Sequence, residues 1–251
     1  MKFCSIRSVL SLACVFACMS SFAAAKDKEK PKQPGTKVVD SGTFGVFSSG
    51  TRVATEKFSI EQGATGSRIS SQFKSAQGEQ VAEQTSEMQL TPSTDLRVYE
   101  WKETSPEKMT ASVAPNDAFL IETFTSGPDN KTHDQNFLLP ASTAILDDYF
   151  FIHRELLAWK YLASACKQNG GAPTCPLHQK VQFGTLNPHA RNSMAVTIEF
   201  AGRDKVSIRG GQVELSKFVL SSEAGDWALW LDDNLKLVRL LNDGGTEVVR
   251  D

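Results

Sequence analysis

Four residues that could bind a metal or take part in acid–base chemistry lie within one stretch of the chain: Cys166, Cys175, His178 and His189. Eight residues separate the cysteines and ten separate the histidines, and these spacings match no common structural zinc site. In an oxidising compartment, two cysteines this close most simply form a disulfide that closes a turn. The sequence therefore predicts a disulfide between Cys166 and Cys175, with zinc binding as the weaker alternative and no metal site expected.

The first 25 residues, which decide the compartment, have the pattern of a secretory signal peptide. Lys2 and Arg7 supply positive charge, residues 8–22 are apolar, and residues 23–25 form a small-residue cleavage sequence. The apolar stretch is shorter than the roughly 20 residues that span a bilayer. We therefore expect cleavage after about Ala25, a periplasmic or secreted mature protein, and no transmembrane segment after cleavage.

An alternative for this leader is lipidation at Cys18. The three preceding residues, Val15, Phe16 and Ala17, loosely resemble a bacterial lipobox. The bulky Phe16 stands where a small residue is usual in such a motif. Cleavage after Ala25 is therefore the preferred interpretation.

The composition of the mature chain excludes a typical nucleic-acid-binding protein. The full chain has 27 basic and 29 acidic residues, and removal of Lys2 and Arg7 with the signal peptide leaves 25 basic residues and a net charge of −4. Binding to nucleic acid requires a clustered basic excess. Residues 26–36 are charged, contain proline and lack apolar side chains, so we expect a flexible linker there. A single domain over residues 37–251 follows.

From residue 37 onwards, hydrophobic residues alternate with polar ones. The pattern is clear in residues 68–74 and 194–200 and less regular in residues 235–241. A period of two is typical of antiparallel strands with one buried and one exposed face. Turn-forming residues such as Gly210-Gly211 and Gly202-Arg203-Asp204 separate about a dozen such strands. The sequence therefore predicts a mainly β fold, either a curled antiparallel meander sheet or a partly open barrel.

One segment, at about residues 147–165, departs from this pattern and predicts a single long α-helix. Asp147 or Asp148 is a suitable N-cap, and apolar residues recur at helical spacing over a wide face. This stripe comprises Tyr149, Ile152, Leu156, Trp159 and Ala163. A broadly apolar helix among many strands is expected to fill the concave side of the curved sheet.

His153 lies on the apolar side of this helix and has two interpretations. In the first, it is a core histidine that hydrogen-bonds to a strand carbonyl. In the second, it faces a pocket, where it contacts a ligand or acts as a base. If helix and sheet leave an apolar cleft for a lipid-like ligand, the candidate ligand-binding residues are His153, Tyr149 and Trp159. His178 and His189 are expected on surface loops.

Motifs for the common catalytic mechanisms are absent from the sequence. It contains no Gly-x-Ser-x-Gly elbow, no His-Glu-x-x-His motif, no phosphate-binding loop and no dinucleotide fingerprint. We therefore predict no catalytic residues and no cofactor.

Three parts of the chain, residues 41–60, 146–158 and 229–240, carry structural rather than catalytic motifs. In that order they resemble the first hairpin, the central segment and the closing hairpin of a family of uncharacterised secreted bacterial proteins, a domain of unknown function. Ala54 stands where that family usually has glycine, so the first hairpin is expected to differ slightly in shape. The resemblance covers most of residues 40–250. It implies a curved antiparallel sheet and an envelope location, and it implies no activity.

These observations favour a non-catalytic periplasmic or secreted protein that binds an apolar ligand or an envelope component on its curved sheet. The expected architecture is similar to that of lipoprotein carriers, although fold alone does not carry function. One alternative is a hydrolase whose site assembles only in three dimensions, with His153 as its base. Another is a structural partner in envelope assembly. No pattern in the sequence specifies an oligomeric state.

Overall fold

The structure is a computed structural model, and it describes most of the chain after the leader. The described ranges are residues 35–75, 81–127, 131–168, 170, 173–208 and 210–251. They belong to one compact unit. The signal peptide predicted for residues 1–25 and most of the linker predicted for residues 26–36 lie outside the described residues. No helix in the described ranges is long and apolar enough to cross a membrane.

Most of the described chain is β-strand. The first eight strands are β1 (Lys37–Ser48), β2 (Thr51–Gly63), β3 (Gly66–Ser75), β4 (Glu83–Leu90), β5 (Leu96–Ser105), β6 (Met109–Asn116), β7 (Phe119–Ser126) and β8 (Lys131–Phe137). The remaining elements are β9 (Ala144–Ile145), α1 (Ile152–Ala165), β10 (Val181–Asn187), β11 (Asn192–Ile208), β12 (Gly211–Ser222), β13 (Gly225–Leu231), β14 (Leu237–Asn242) and β15 (Thr246–Arg250).

All of these strands form one sheet of 15 members within the described residues. Its order is β8-β7-β6-β5-β4-β3-β2-β1-β15-β14-β13-β12-β11-β10-β9. Every pairing is antiparallel except that of β9 with β10. The predicted meander is therefore confirmed. Because β1 pairs with β15, the first and last strands lie in the middle of the sheet. Its two edges, β8 and β9, are consecutive in the chain, and α1 follows β9.

The predicted alternation of buried and exposed residues holds along most strands. In β3, for example, Ile69, Ser71 and Phe73 are buried, and the residues between them face outwards or are half-buried. Aligned strands extend this alternation across the sheet, because side chains opposite each other point to the same face. The inward rows from both halves of the sheet meet in one large core that also includes α1.

β11 runs without a break through Gly202–Asp204, where the sequence predicts a turn. Gly202 has a φ of +102°, and the pairing of β11 with β12 shifts register between Phe200 and Gly202. A glycine at positive φ accommodates a β-bulge as readily as a chain reversal. The predicted turn is wrong, and the two short strands expected there are one long strand with a bulge.

A register shift also explains the irregular pattern at residues 235–241. The pairing of β13 with β14 contains a shift, and as a result Leu240 lies in the main core, where the alternation suggested Leu241. Leu235 belongs to the preceding turn, since its N–H donates to the Asp232 carbonyl at 2.9 Å.

The helix ends at Ala165, as predicted, but it begins at Ile152 rather than at Asp147. Phe151 occupies the N-cap position and has no side-chain capping bond. The N–H groups of Phe151 and Ile152 instead donate to the carboxylate of Glu56 on β2, at 2.7 and 3.4 Å. A strand residue therefore supplies the cap that Asp147 was expected to provide.

Hydrogen bonds along its length tie α1 to the far half of the sheet. The N–H of Leu237 donates to Glu155 at 2.8 Å, and the Trp159 indole donates to the carbonyl of Leu235 at 2.7 Å. The Tyr161 hydroxyl accepts from the N–H of Phe200 on β11 at 3.2 Å. Together with the Glu56 cap, these bonds show that the sheet curls around the helix.

The C-terminal end of α1 leads directly into a disulfide between Cys166 and Cys175. Lys167 and Thr174 form a two-residue antiparallel bridge inside the loop. Because both sulfur atoms are bonded to each other, neither is available to bind zinc. The disulfide agrees with an extracytoplasmic location.

Replacing both Cys166 and Cys175 by serine is expected to lower the free energy of unfolding by about 2–3 kcal/mol, because the cross-link removes chain entropy from the unfolded state. Urea unfolding followed by tryptophan fluorescence measures this difference. Wild-type protein unfolded with and without a reducing agent is the matched comparison. Equal stability in the oxidised and reduced forms would show that the disulfide has no structural role.

Candidate functional site

A cavity of about 630 Å³ lies between α1 and the inner face of the sheet. This volume is in the range of small-molecule binding sites, which is about 300–1,000 Å³. Its walls come from strands β1 to β5 on one side, from α1 on another, and from β9 and β10 on a third. The walls are mainly apolar and include Val39, Ile60, Met88, Leu90, Leu96, Ile145, Leu157 and Phe183.

The apolar stripe predicted on the helix forms one of these walls. Leu156, Trp159 and Ala163 all line the cavity. By contrast, Ile152 is fully buried in the main core. The width of the apolar face of α1 therefore serves two purposes: one side packs against the sheet and the other borders the open space.

The structure separates the three predicted ligand-binding residues. His153 and Trp159 line the cavity. Tyr149 does not line it: its ring is half-exposed and lies 5.4 Å from the ring of Phe73 and 4.7 Å from the ring of His189. Because the Trp159 indole nitrogen is bonded to a main-chain carbonyl, Trp159 presents its apolar ring to the cavity. Ligand binding by these residues remains a prediction.

His153 is a neutral, almost fully buried histidine with 1% of its surface exposed. Its Nδ1 accepts the N–H of Asp147 at 3.3 Å, whereas the core interpretation expected a bond to a strand carbonyl. Burial lowers the pKa of His153 to about 4. Its Nε2 is buried and has no hydrogen-bond partner among the described residues.

Several further polar side chains belong to the cavity wall, among them Thr143 and Lys160. The Thr143 hydroxyl is buried and, within the described ranges, has no hydrogen-bond partner. The Lys160 ammonium group donates to the carbonyl of Ser142 at 2.9 Å, and burial lowers the pKa of Lys160. The cavity surface is more apolar than polar, and its other polar lining residues include Gln62, Asp95 and Gln182.

A second cluster, which sequence reasoning missed, centres on Asp147. Its carboxylate is fully buried and accepts hydrogen bonds from Tyr99 at 2.9 Å and from the N–H of Tyr149 at 2.9 Å. His189 Nδ1 lies 2.6 Å from the same carboxylate, and the His189 ring stacks on Trp101 with centroids 3.9 Å apart. Burial alone would raise the pKa of Asp147, but the bond to His189, the charges of the nearby histidines and the N–H of Tyr149 together outweigh it, and the net pKa is lowered.

The expectation that His189 lies on the surface is wrong, because only 11% of its side chain is exposed. His178 is exposed, as expected. Asp147 and His189 are 42 residues apart, and no sequence pattern linked them. Near His189 the sequence offers only Pro176 and Pro188, which indicate a loop and give no sign of the contact with Asp147.

The cluster around Asp147 also contains a buried carboxyl group, Glu122 on β7. This residue has no exposed surface, and neither oxygen has a hydrogen-bond partner among the residues described. Burial raises the pKa of Glu122 to about 7, against a smaller opposing effect of Arg191. An uncompensated buried carboxyl group of this kind disfavours the ionised state.

The arrangement around Asp147 pairs a potential base with a carboxylate that orients it, as in many hydrolases. However, Nε2 of His189 has no hydrogen-bond partner in the described part of the chain, so no serine, threonine or cysteine is bonded to it there. No group of three or more His, Cys, Asp or Glu side chains in the described ranges could hold a metal ion.

Comparisons with known proteins bear on the fold. No family model and no curated protein matches the chain. The chain is similar to a solved structure, a β-barrel-like protein of the domain of unknown function DUF1849 from Brucella abortus. The two are 11% identical, with a TM-score of 0.52, over 84% of this chain and 94% of the other. This likeness confirms the mainly β, barrel-like fold and the predicted resemblance to an uncharacterised bacterial family.

Between pH 4.5 and pH 8, the free energy of unfolding of Glu122→Gln is expected to rise by about 2–3 kcal/mol relative to that of wild type. Because the pKa of Glu122 is raised from 4.5 to about 7, the folded wild type binds more protons than the unfolded chain between these values. Wild-type stability therefore falls as the pH rises through this window. Glutamine never ionises and escapes this loss.

Urea unfolding at the two pH values measures the shift. Glu100→Gln is the matched control, because Glu100 is exposed on β5, two strands away in the same sheet. A difference between Glu122→Gln and wild type that does not change with pH would contradict the raised pKa.

Proposed function

We propose that this chain is a non-catalytic periplasmic or secreted protein that binds an apolar ligand in the cavity between α1 and the sheet. The observation that supports this proposal is the cavity of about 630 Å³. It combines a size suited to a small molecule with walls formed by strand residues and by the apolar stripe of the helix. A lipid-like chain suits such walls better than a polar metabolite does.

The energetics favour a ligand with a long hydrocarbon segment. Each buried methylene contributes about 0.8 kcal/mol, so about ten methylenes contribute about 8 kcal/mol before the costs of association. The wall also carries polar side chains, including Gln62, Asp95 and Gln182, but most of its surface is apolar. Apolar burial is therefore the main source of affinity.

The geometry gives little support to the hydrolase alternative based on His153. Its Nδ1 is occupied by a main-chain N–H, and its pKa of about 4 keeps it a weak base at neutral pH. In the described residues, no nucleophile is hydrogen-bonded to its Nε2. The buried histidine is better suited to contact a ligand than to activate water.

Ala163→Trp is expected to weaken binding of the fluorescent probe N-phenyl-1-naphthylamine at least about tenfold, because an indole ring in the cavity excludes the equivalent of two or more methylenes. Ala163 is exposed at one end of the cavity wall, so the fold should tolerate the change. Probe fluorescence in a titration measures the affinity.

Ala114→Trp is the matched control, because Ala114 is exposed on β6 and does not line the cavity. Equal affinity of both variants and wild type would place the probe elsewhere and contradict the proposal. Organic extracts of the purified protein, analysed by mass spectrometry, should contain a lipid-like compound that is depleted in Ala163→Trp. Recovery of a protein partner from envelope fractions, with empty extracts, would favour the assembly alternative.

A further inference from the structure

Two buried polar atoms in the cavity wall have no hydrogen-bond partner among the described residues: His153 Nε2 and Thr143 Oγ1. Both residues line the cavity. A buried polar group without a partner costs about 1–3 kcal/mol, so most such groups in native proteins are paired. Two of them on residues of one apolar cavity indicate that its ligand supplies the missing partner.

The hydrogen bond at Nδ1 determines what His153 can offer. Because Nδ1 accepts the N–H of Asp147, it carries no proton, and in a neutral ring the proton is then on Nε2. His153 is therefore a hydrogen-bond donor toward its unpaired side. The Thr143 hydroxyl can rotate and donate as well. Both side chains can therefore donate a hydrogen bond to an oxygen atom of a ligand.

Space for such an oxygen exists beside Thr143. Gly184 on β10 also lines the cavity, and a Cβ at this position would have only Thr143 Oγ1 within 4 Å, at 4.0 Å. Neighbouring wall atoms cover Thr143 Oγ1 and His153 Nε2, so binding of a ligand oxygen by either atom requires its side chain to rotate toward the ligand.

The negative charge of Asp147, near His153, favours a neutral ligand oxygen over an anionic one. The N–H of Asp147 donates to His153. The buried carboxylate of the same residue accepts a hydrogen bond from Tyr99 and lies close to His189. A second negative charge placed beside it in a poorly solvated interior would be strongly disfavoured. A neutral ester, amide or alcohol oxygen avoids this repulsion.

We infer that the ligand is a neutral long-chain lipid whose ester, amide or alcohol oxygen binds within the cavity at His153 and Thr143. This inference rests on the proposed function and specifies the ligand class of the same site. The rival is an anionic lipid, whose carboxylate would pair with Lys160 elsewhere in the wall. The two ligands use different residues, so substitutions distinguish them.

Three C16 probes test the inference by displacing N-phenyl-1-naphthylamine: methyl hexadecanoate, hexadecanoate and 1-hexadecene. Thr143→Val removes the hydroxyl with little change in shape, and Thr143→Ser retains it as the control. His153→Asn keeps an acceptor near the position of Nδ1 and removes the Nε2 donor. Lys160→Gln removes the ammonium group with which a carboxylate would pair.

Thr143→Val and His153→Asn are each expected to weaken methyl hexadecanoate binding by about 3- to 10-fold, the value of one neutral hydrogen bond. Hexadecene affinity should be unchanged in both variants, and Thr143→Ser should bind the ester like wild type. Because the hydrocarbon probe reports the cavity itself, unchanged hexadecene binding also shows that the variants are folded.

Two results would overturn the inference and leave the proposed function standing. One is equal affinity of wild type and both variants for the ester. The other is tightest binding of hexadecanoate, lost in Lys160→Gln and retained in Thr143→Val. If none of the three probes displaces the fluorophore, the proposed function fails together with the inference.

Discussion

The carboxyl group of Glu56 holds the start of α1 inside the sheet, and the position of the cavity follows from this interaction. The first N–H groups of any helix lack internal partners, and here water cannot reach them. Glu56 accepts two of them and also the hydroxyl of Ser71 at 2.6 Å. With that end attached to β2, the helix cannot rotate freely, and the side bearing Leu156 and Trp159 faces the cavity. Burial raises the pKa of Glu56 to about 7, a cost that its three bonds partly offset.

A second buried carboxyl group performs the corresponding task farther along the helix. Glu155 accepts the N–H of Leu237 and a bond from Arg250 at 3.1 Å. The Arg250 guanidinium also binds both oxygens of Asp40 on β1, at 3.0 and 2.6 Å. One arginine thus connects β15, β1 and α1 where the two halves of the sheet meet. Buried ion pairs add little net stability, so we assign this group the role of fixing the geometry.

Local patterns in the sequence predicted the elements, and long-range contacts determined how they meet. The alternation in residues 68–74 was sufficient for a strand, because the periodicity is contained within the strand itself. The same reasoning located the helix stripe but placed its start at Asp147, since the true cap, Glu56, lies about 90 residues upstream. Asp147 and His189 could not be paired in advance, because neither lies in a motif and only the curled sheet brings them together. Bulges such as that at Gly202 escaped notice because glycine marks turns and bulges alike.

The pairing of β1 with β15 has a consequence for the order in which the protein matures. Phe44 pairs with Arg250, 206 residues later in the chain. During synthesis, β1 therefore waits with one open edge until β15 has emerged from the ribosome, and contacts this distant form slowly. The sheet cannot close around the helix before that moment. The complete sheet therefore requires nearly the whole chain, and a chain cut short before β15 would leave β1 and β14 with unpaired edges.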